Sequence, residues 1–267
     1  MAKQLPGNIT SYDLLKAFAI LSMICDHVGY YFFDDQDWWR VAGRLCVPIW
    51  FFLIGYADSR DIGPRMWLGG IILVLANMMV GMWLFPLNVL FSMLVVRLCL
   101  DRLMQSCKTG YEGFIGVIIA LLLLTPISYS YWEYGTEGVL MAMFGFLMKN
   151  RPQVTDVSNP ATVPKAFALF CLSQFIFIQG VLFGFNLAQM IVLSAGVFAV
   201  TYVLYFFRPM EYAGLTQKLP RLAVKGLQFL GRRTLEIYVA HLILFKFMMM
   251  AIEPGRFSWF HPTLMIP

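Results

Sequence analysis

Charge is what this chain has least of. Asp, Glu, Lys and Arg make up 13% of its 267 residues, against 60% apolar residues. Soluble globular domains run to about 25% charged and about 45–50% apolar, so an ordinary water-solvated surface is excluded. Cysteine is also scarce: five residues, at positions 25, 46, 99, 107 and 171, with no CxxC among them. Neither a disulfide scaffold nor a metal site is indicated. A cleavable leader is not expected either. Lys3 begins a signal-like pattern, but Asp26 and His27 interrupt the first apolar stretch and no small-residue cleavage site follows. Low-complexity tracts, internal repeats and an inserted soluble domain are all missing. The net charge of +5 is scattered between apolar runs, so no nucleic-acid partner is expected and the cations read as topology signals.

What the chain has is long apolar runs. Stretches such as 67–85 and 187–207 approach the roughly 20 residues that span hydrocarbon. Backbone polar groups in lipid must be satisfied within the segment, and these runs lack the period-2 alternation of barrel strands. The expected fold is therefore all-α, a polytopic transmembrane helical bundle forming one domain over 1–267, with membrane lipid around it. About nine spans are expected, within a range of roughly seven to ten: 14–33, 46–57, 66–85, 87–100, 113–127, 134–148, 166–185, 187–207 and 234–252. The second, fourth and sixth are short and could be partly re-entrant. With this count Lys3, Arg60, Arg65, Arg102, Lys108, Lys149, Arg151, Lys165, Arg208, Lys218, Arg221, Lys225, Arg232 and Arg233 share one side. The other side holds Asp34, Asp35, Asp37, Arg40, the polar aromatic loop 128–133, Glu253 and Arg256. The positive-inside rule then puts the N-terminus in the cytoplasm and the C-terminus outside.

Ionisable groups inside spans are costly and usually face a cavity or a partner. Lys16 and His27 are eleven residues apart, which returns them to nearly one helix face about 16 Å apart along the axis. That spacing suits an extended ligand with an anionic head at Lys16 and a reactive end at His27. Snorkelling of Lys16 and a helix-contact role for His27 are the plain alternatives. Asp26 either orients the imidazole or pairs with Arg44. In the last span Arg232 and Arg233 sit at the cytoplasmic edge, as phosphate ligands or simple anchors, with Glu236, Tyr238 and His241 deeper. Arg97 and Asp101 are placed to pair at i, i+4. Loop 133–138 mixes carboxylates, an aromatic and glycines, and either binds an acceptor or merely turns the chain.

These residues resemble a known group. Lys16 and His27 are similar to the R-x10-H signature of the acyltransferase-3 family, with lysine in place of the arginine and so without its bidentate fork. Ala42-Gly43-Arg44, Pro48-Ile49-Trp50-Phe51-Phe52, Pro86-Leu87-Asn88 and the 133–138 loop resemble the TraX branch, the pilin acetylases, and 230–241 is similar to the closing helix of the wider superfamily. The resemblance implies an enzyme of a bacterial inner (cytoplasmic) membrane that moves an acetyl group from cytoplasmic acetyl-coenzyme A to an outer acceptor. The acceptor would be the N-terminal amine of a pilin, or a hydroxyl of a glycan or lipid-linked sugar. His27 would be the general base, Asp26 its orienting partner and Arg44 the oxyanion stabiliser. Lys16, Arg232, Arg233, Glu236, Tyr238 and His241 would surround the donor, with no metal required. An acetyl-histidine route stays open. A proton-coupled transporter and a non-catalytic assembly factor are the rival readings.

Overall fold

A computed structural model describes residues 6–107, 110–150, 162–256 and 259–265. Lys3, Lys108 and Arg151 lie outside the described residues. Among the described residues the chain is helical and has no strands. The helices are α1 (Ser11–Phe32), α2 (Asp37–Gly43), α3 (Cys46–Tyr56), α4 (Pro64–Val80), α5 (Val89–Cys107), α6 (Tyr111–Tyr131), α7 (Gly135–Lys149), α8 (Thr162–Phe183), α9 (Leu187–Tyr205), α10 (Ala213–Lys218), α11 (Arg221–Arg232) and α12 (Thr234–Ile252).

Four of them, within α6, α8, α9 and α12, are long and apolar enough to cross a membrane, and α4 is apolar but shorter. The remaining helices on the apolar runs miss that standard for visible reasons. Asp13, Lys16 and Asp26 charge α1; Arg97, Asp101 and Arg102 charge α5; α3 and α7 are short. At 1.5 Å per residue the 11-residue α3 is about 16 Å long, against about 30 Å of hydrocarbon. Short helices are tolerable here because α3 and α7 are enclosed by protein. Phe51 and Phe52 of α3 and Leu140 and Phe144 of α7 are among the most deeply buried side chains. The two backbones touch: a Cβ on Gly55 would lie 1.8 Å from the Ala142 carbonyl oxygen, and one on Gly145 2.1 Å from that of Phe52. Small residues allow this approach, as they do between helices in lipid.

Local chemistry sets the helix ends. Thr10 and Asp13 form a reciprocal capping box at the start of α1, as Asn186 and Gln189 do for α9. Pro48 explains why α2 and α3 are separate. Arg44 and Leu45 keep right-handed helical angles, but proline has no N–H to return to the Arg44 carbonyl. Several expectations need correction. The stretch 34–45, read as an outer loop, contains α2, whose Trp39 lies against Gly29 of α1. The fourth apolar run is short as expected, but its helix is longer than the run, since α5 continues past Leu100 to Cys107. The connection between α9 and α12 holds two further helices, α10 and the amphipathic α11.

Candidate functional site

α1 and α12 lie side by side and run in the same direction. Asp13 abuts Gly231 just before α12, His27 meets His241, and Phe32 packs on Phe245 at 5.2 Å. The two histidines, 214 positions apart in sequence, are joined by a 2.6 Å contact between His27 Nδ1 and His241 Nε2. The protons on this contact can be assigned. His241 Nδ1 is 2.6 Å from the carbonyl oxygen of Ile237, and a carbonyl only accepts. His241 Nδ1 therefore carries a hydrogen, which leaves a lone pair on Nε2 of the neutral ring. His27 Nδ1–H must donate to that lone pair. The neutral His27 is thus held with its own lone pair on Nε2, the form in which an imidazole accepts a proton.

His27 lines a small cavity of about 30 Å³ with Asp26, Glu133, Tyr134, Trp50 and Tyr238. Met23, Trp50, Val89 and Tyr238 are shared with the wall of a far larger cavity of about 840 Å³, within the range of about 300–1,000 Å³ usual for ligand sites. Lys16, Arg97 and Arg232 line this large cavity. The three cations are not equivalent. Arg232 donates to both Asp13 oxygens at 2.9 Å and to the carbonyls of Pro6 and Asn8. Burial alone would raise the Asp13 carboxyl, but hydrogen bonds from Arg232 and Thr10 outweigh it and hold it below the ordinary carboxylate value. Arg232 is thus a clamp between α11 and α1. Among the described residues, Lys16 and Arg97 pair with no carboxylate. Arg97 Nη1 donates to the Asp61 carbonyl at 2.7 Å, and its Nε is buried without a partner among the described residues.

The structure moves several residues from their expected places. Asp26 does not address His27. Its carboxylate pairs with Arg44 and with Arg40 at 3.1 Å, which is the alternative open to it from sequence. The reason is rotational, since neighbours on a helix point about 100° apart. Arg44 is 5% exposed and lines neither cavity; it bonds Asp26 and the Tyr134 hydroxyl, and its guanidinium stacks 4.8 Å from Phe183. Arg233 and Glu236 pair with each other at 3.3 Å on the exposed side and line neither cavity. Glu236 is in the first turn of α12 rather than mid-span, and it points about 200° round the helix from Tyr238. Tyr238 lines both cavities. Arg97 is not paired with Asp101, which bonds Arg60 at 3.2 Å.

Two cavity-lining residues, Arg97 and Tyr134, and one buried cation, Lys246, are not singled out by the sequence. Arg97 has Asp101 at i+4, which makes it look like half of an ion pair. Lys246, 5% exposed on α12 with its Nζ 5.5 Å from the Tyr31 ring, carried the signal of an ionisable group inside an apolar run. Tyr134 sat in a loop already noted for its composition.

The family model described as TraX protein matches residues 11–217. The protein named "Uncharacterized protein RP591" from Rickettsia prowazekii (strain Madrid E) is 24% identical over 243 residues, covering 90% of this chain and 93% of that protein. "Protein TraX" from Escherichia coli is 28% identical over 137 residues, covering 48% of this chain and 52% of that protein. No solved structure matches.

Proposed function

The chain belongs to the TraX family, and on that premise we propose that this membrane protein is an acetyltransferase. It takes the acetyl group from cytoplasmic acetyl-coenzyme A and delivers it to an amine or hydroxyl on the outer side of a bacterial inner membrane. About nine crossings, with the N-terminus inside, fit the charge pattern and the parallel course of α1 and α12. The observation that carries the reading is the pair of adjoining cavities. Cations that meet no carboxylate among the described residues line the larger, and His27 lines the smaller. Lys16 and Arg97 suit the nucleotide phosphates, the ammonium as a point charge and the guanidinium as a fork. The apolar middle suits an extended pantetheine arm, and the thioester comes to rest beside His27.

The chemistry then balances within the site. His27 Nε2 takes the proton of the acceptor N–H or O–H as the acceptor lone pair attacks the thioester carbonyl carbon. His241, accepting from His27 Nδ1, steadies the imidazolium. The tetrahedral intermediate collapses with cleavage of the C–S bond, and the departing thiolate recovers the proton from His27. The products are the acetylated acceptor and free coenzyme A. The pilin N-terminal amine is the acceptor that the TraX likeness favours, with a sugar hydroxyl as the alternative.

The test is a transfer assay on purified protein in lipid. Acetyl-coenzyme A labelled in the acetyl group is offered with either a peptide bearing a pilin-like N-terminus or a glycan acceptor. The wild type should release coenzyme A and label one acceptor, and His27→Ala should abolish labelling while still binding the donor about three helical turns away. Failure of the wild type to bind acetyl-coenzyme A would remove the reading, and a folded His27→Ala protein of near-normal activity would remove His27 from it.

A further inference from the structure

The acyl transfer just described develops negative charge on the thioester oxygen, and such charge is normally met by hydrogen-bond donors fixed in advance. Arg44, the residue expected for that task, has no face on either cavity. Two of its direct partners, Asp26 and Tyr134, do line the small cavity, and of these Tyr134 carries a hydrogen-bond donor.

Tyr134 is held by an unusual amount of structure. It is a non-glycine residue in the left-handed region, with φ 64° and ψ 0°, directly before α7. Such a conformation is costly for a bulky residue and persists only when its surroundings impose it. The surroundings do so from both sides. Before it, Glu133 N–H donates to the Leu87 carbonyl at 3.0 Å, and the Ser92 hydroxyl donates to the Glu133 carbonyl at 2.6 Å. After it, Gly135 has φ 42° and no room for a Cβ, which would lie 2.3 Å from the Ser128 hydroxyl oxygen. Gly138 N–H closes the first turn of α7 on the Tyr134 carbonyl at 3.2 Å.

The side chain is equally constrained. Its ring meets Phe51 edge-on at 6.0 Å and lies 5.7 Å from the Arg44 guanidinium. Arg44 Nη1–H donates to the phenol oxygen at 3.0 Å. A guanidinium cannot accept, so this bond uses a lone pair of the phenol and leaves its hydrogen free to donate elsewhere. The same tyrosine lines the small cavity with His27. A phenol whose oxygen is bonded to a buried cation is also a stronger donor than a free one, because the bonds polarise one another.

We propose that Tyr134 is the oxyanion donor of the acyl transfer, with Arg44 and its ion-pair partner Asp26 acting through it as positioning residues. The phenol O–H points its hydrogen at the thioester oxygen as the tetrahedral intermediate forms. It gives up no proton, so the balance of the reaction is unchanged. The proposal rests on the acetyltransferase reading and adds the group that stabilises its transition state.

Tyr134→Phe is the direct test, because it keeps the ring, the Phe51 contact and the cation–π contact while removing the donor. Loss of one oxyanion donor lowers kcat by about 10²–10³-fold. That fall should come with unchanged affinity for acetyl-coenzyme A and with a lowered thermal midpoint in detergent, since buried Arg44 Nη1 loses its acceptor. A variant with wild-type kcat overturns the proposal while leaving His27 and the transfer reaction intact. A wild type without any acetyl transfer overturns the reaction on which it rests. If Tyr134→Phe does not fold, 3-fluorotyrosine at position 134 decides the matter: its more acidic phenol is a stronger donor and should raise kcat at constant affinity. A kcat indifferent to fluorination overturns the assignment.

Discussion

Arg97→Ala and Lys16→Ala, separately, ask where the anionic end of the donor sits. Both side chains line the large cavity and neither meets a carboxylate among the described residues, so neither is already satisfied in the way Arg232 is. A hydrogen bond to a charged group contributes about 1.5–3 kcal/mol, and each 1.4 kcal/mol is a factor of ten in affinity. Each substitution should therefore weaken acetyl-coenzyme A binding by roughly 10- to 100-fold. Arg97→Lys should recover only part of the loss, because the planar fork is gone. The internal control is acetyl-pantetheine, which has the thioester and the arm but no nucleotide phosphates. Its affinity should barely change. Equilibrium binding to the protein in detergent or nanodiscs measures both ligands. Equal losses for the two would mean that the cations support the fold or the cavity walls, and the phosphate assignment would have to be withdrawn.

Other expectations follow from the packing and the proton assignment. His241→Phe removes the acceptor for His27 Nδ1–H and should lower kcat by about 10²-fold, as loss of general-base function does; His241→Gln, which offers an amide oxygen, should recover part of it, and equal kcat in the two variants would deny His241 a positioning role. Gly55→Ala should destabilise by about 1–3 kcal/mol or more, since its Cβ meets backbone that cannot yield, and a thermal midpoint equal to wild type would contradict the close approach of α3 and α7. Arg44→Ala strips the buried Asp26 carboxylate of one of its two cations and should cost about 3–5 kcal/mol, read by denaturation in detergent; a cost below about 1 kcal/mol would show the pair to be dispensable. The Asp13–Arg232 clamp has a defined pH sense: the folded carboxyl sits below its ordinary 3.8, so its stabilisation is full above that value and is lost as pH falls through the folded pKa. Asp13→Asn should abolish the acid-dependent step and lower the midpoint at neutral pH, and an unchanged acid profile would exclude the clamp.

Much of the helical layout was legible because apolar runs of this length allow few alternatives. The face argument on α1 was legible for the same reason: Lys16 and His27 lie on one helix, and helical geometry alone relates them. What the spacing of one helix cannot show is which neighbour a side chain meets. Asp26 is one residue from His27 in sequence and belongs to a different set of contacts, with Arg40 and Arg44. His241 is 214 residues away and touches the imidazole. Arg97 looked neutralised by Asp101 at i, i+4, yet Arg60 from another segment claims that carboxylate and leaves Arg97 facing the cavity. Arg233 and Glu236 were misread because their residue types fit phosphate and proton chemistry while their rotation on α12 turns them outward.

The parallel course of α1 and α12 ties these cases together. Two helices that start at the same level and run side by side bring equal depths into register: Asp13 with Gly231, His27 with His241, Phe32 with Phe245. From Asp13 to His27 is 14 residues, and from Gly231 to His241 is 10. Of the shortfall of four residues, about 6 Å of rise, the non-helical Arg233 recovers only about 2 Å, since a residue outside a helix advances the chain by up to about 3.3–3.6 Å against about 1.5 Å within one; Gly231 lies in α11, so the rest is not measured along α12. The break at Arg233 therefore has a mechanical consequence. It sets the depth at which His241 arrives and so whether its Nε2 reaches His27 Nδ1. A one-residue insertion between Arg233 and Thr234 would rotate the whole of α12 by about 100° relative to its entry or shift it along the axis. Either displacement separates the two imidazoles while leaving every candidate catalytic side chain present, so it should abolish transfer with the donor cations untouched. Retained transfer in that insertion variant would show that the histidine contact is not needed.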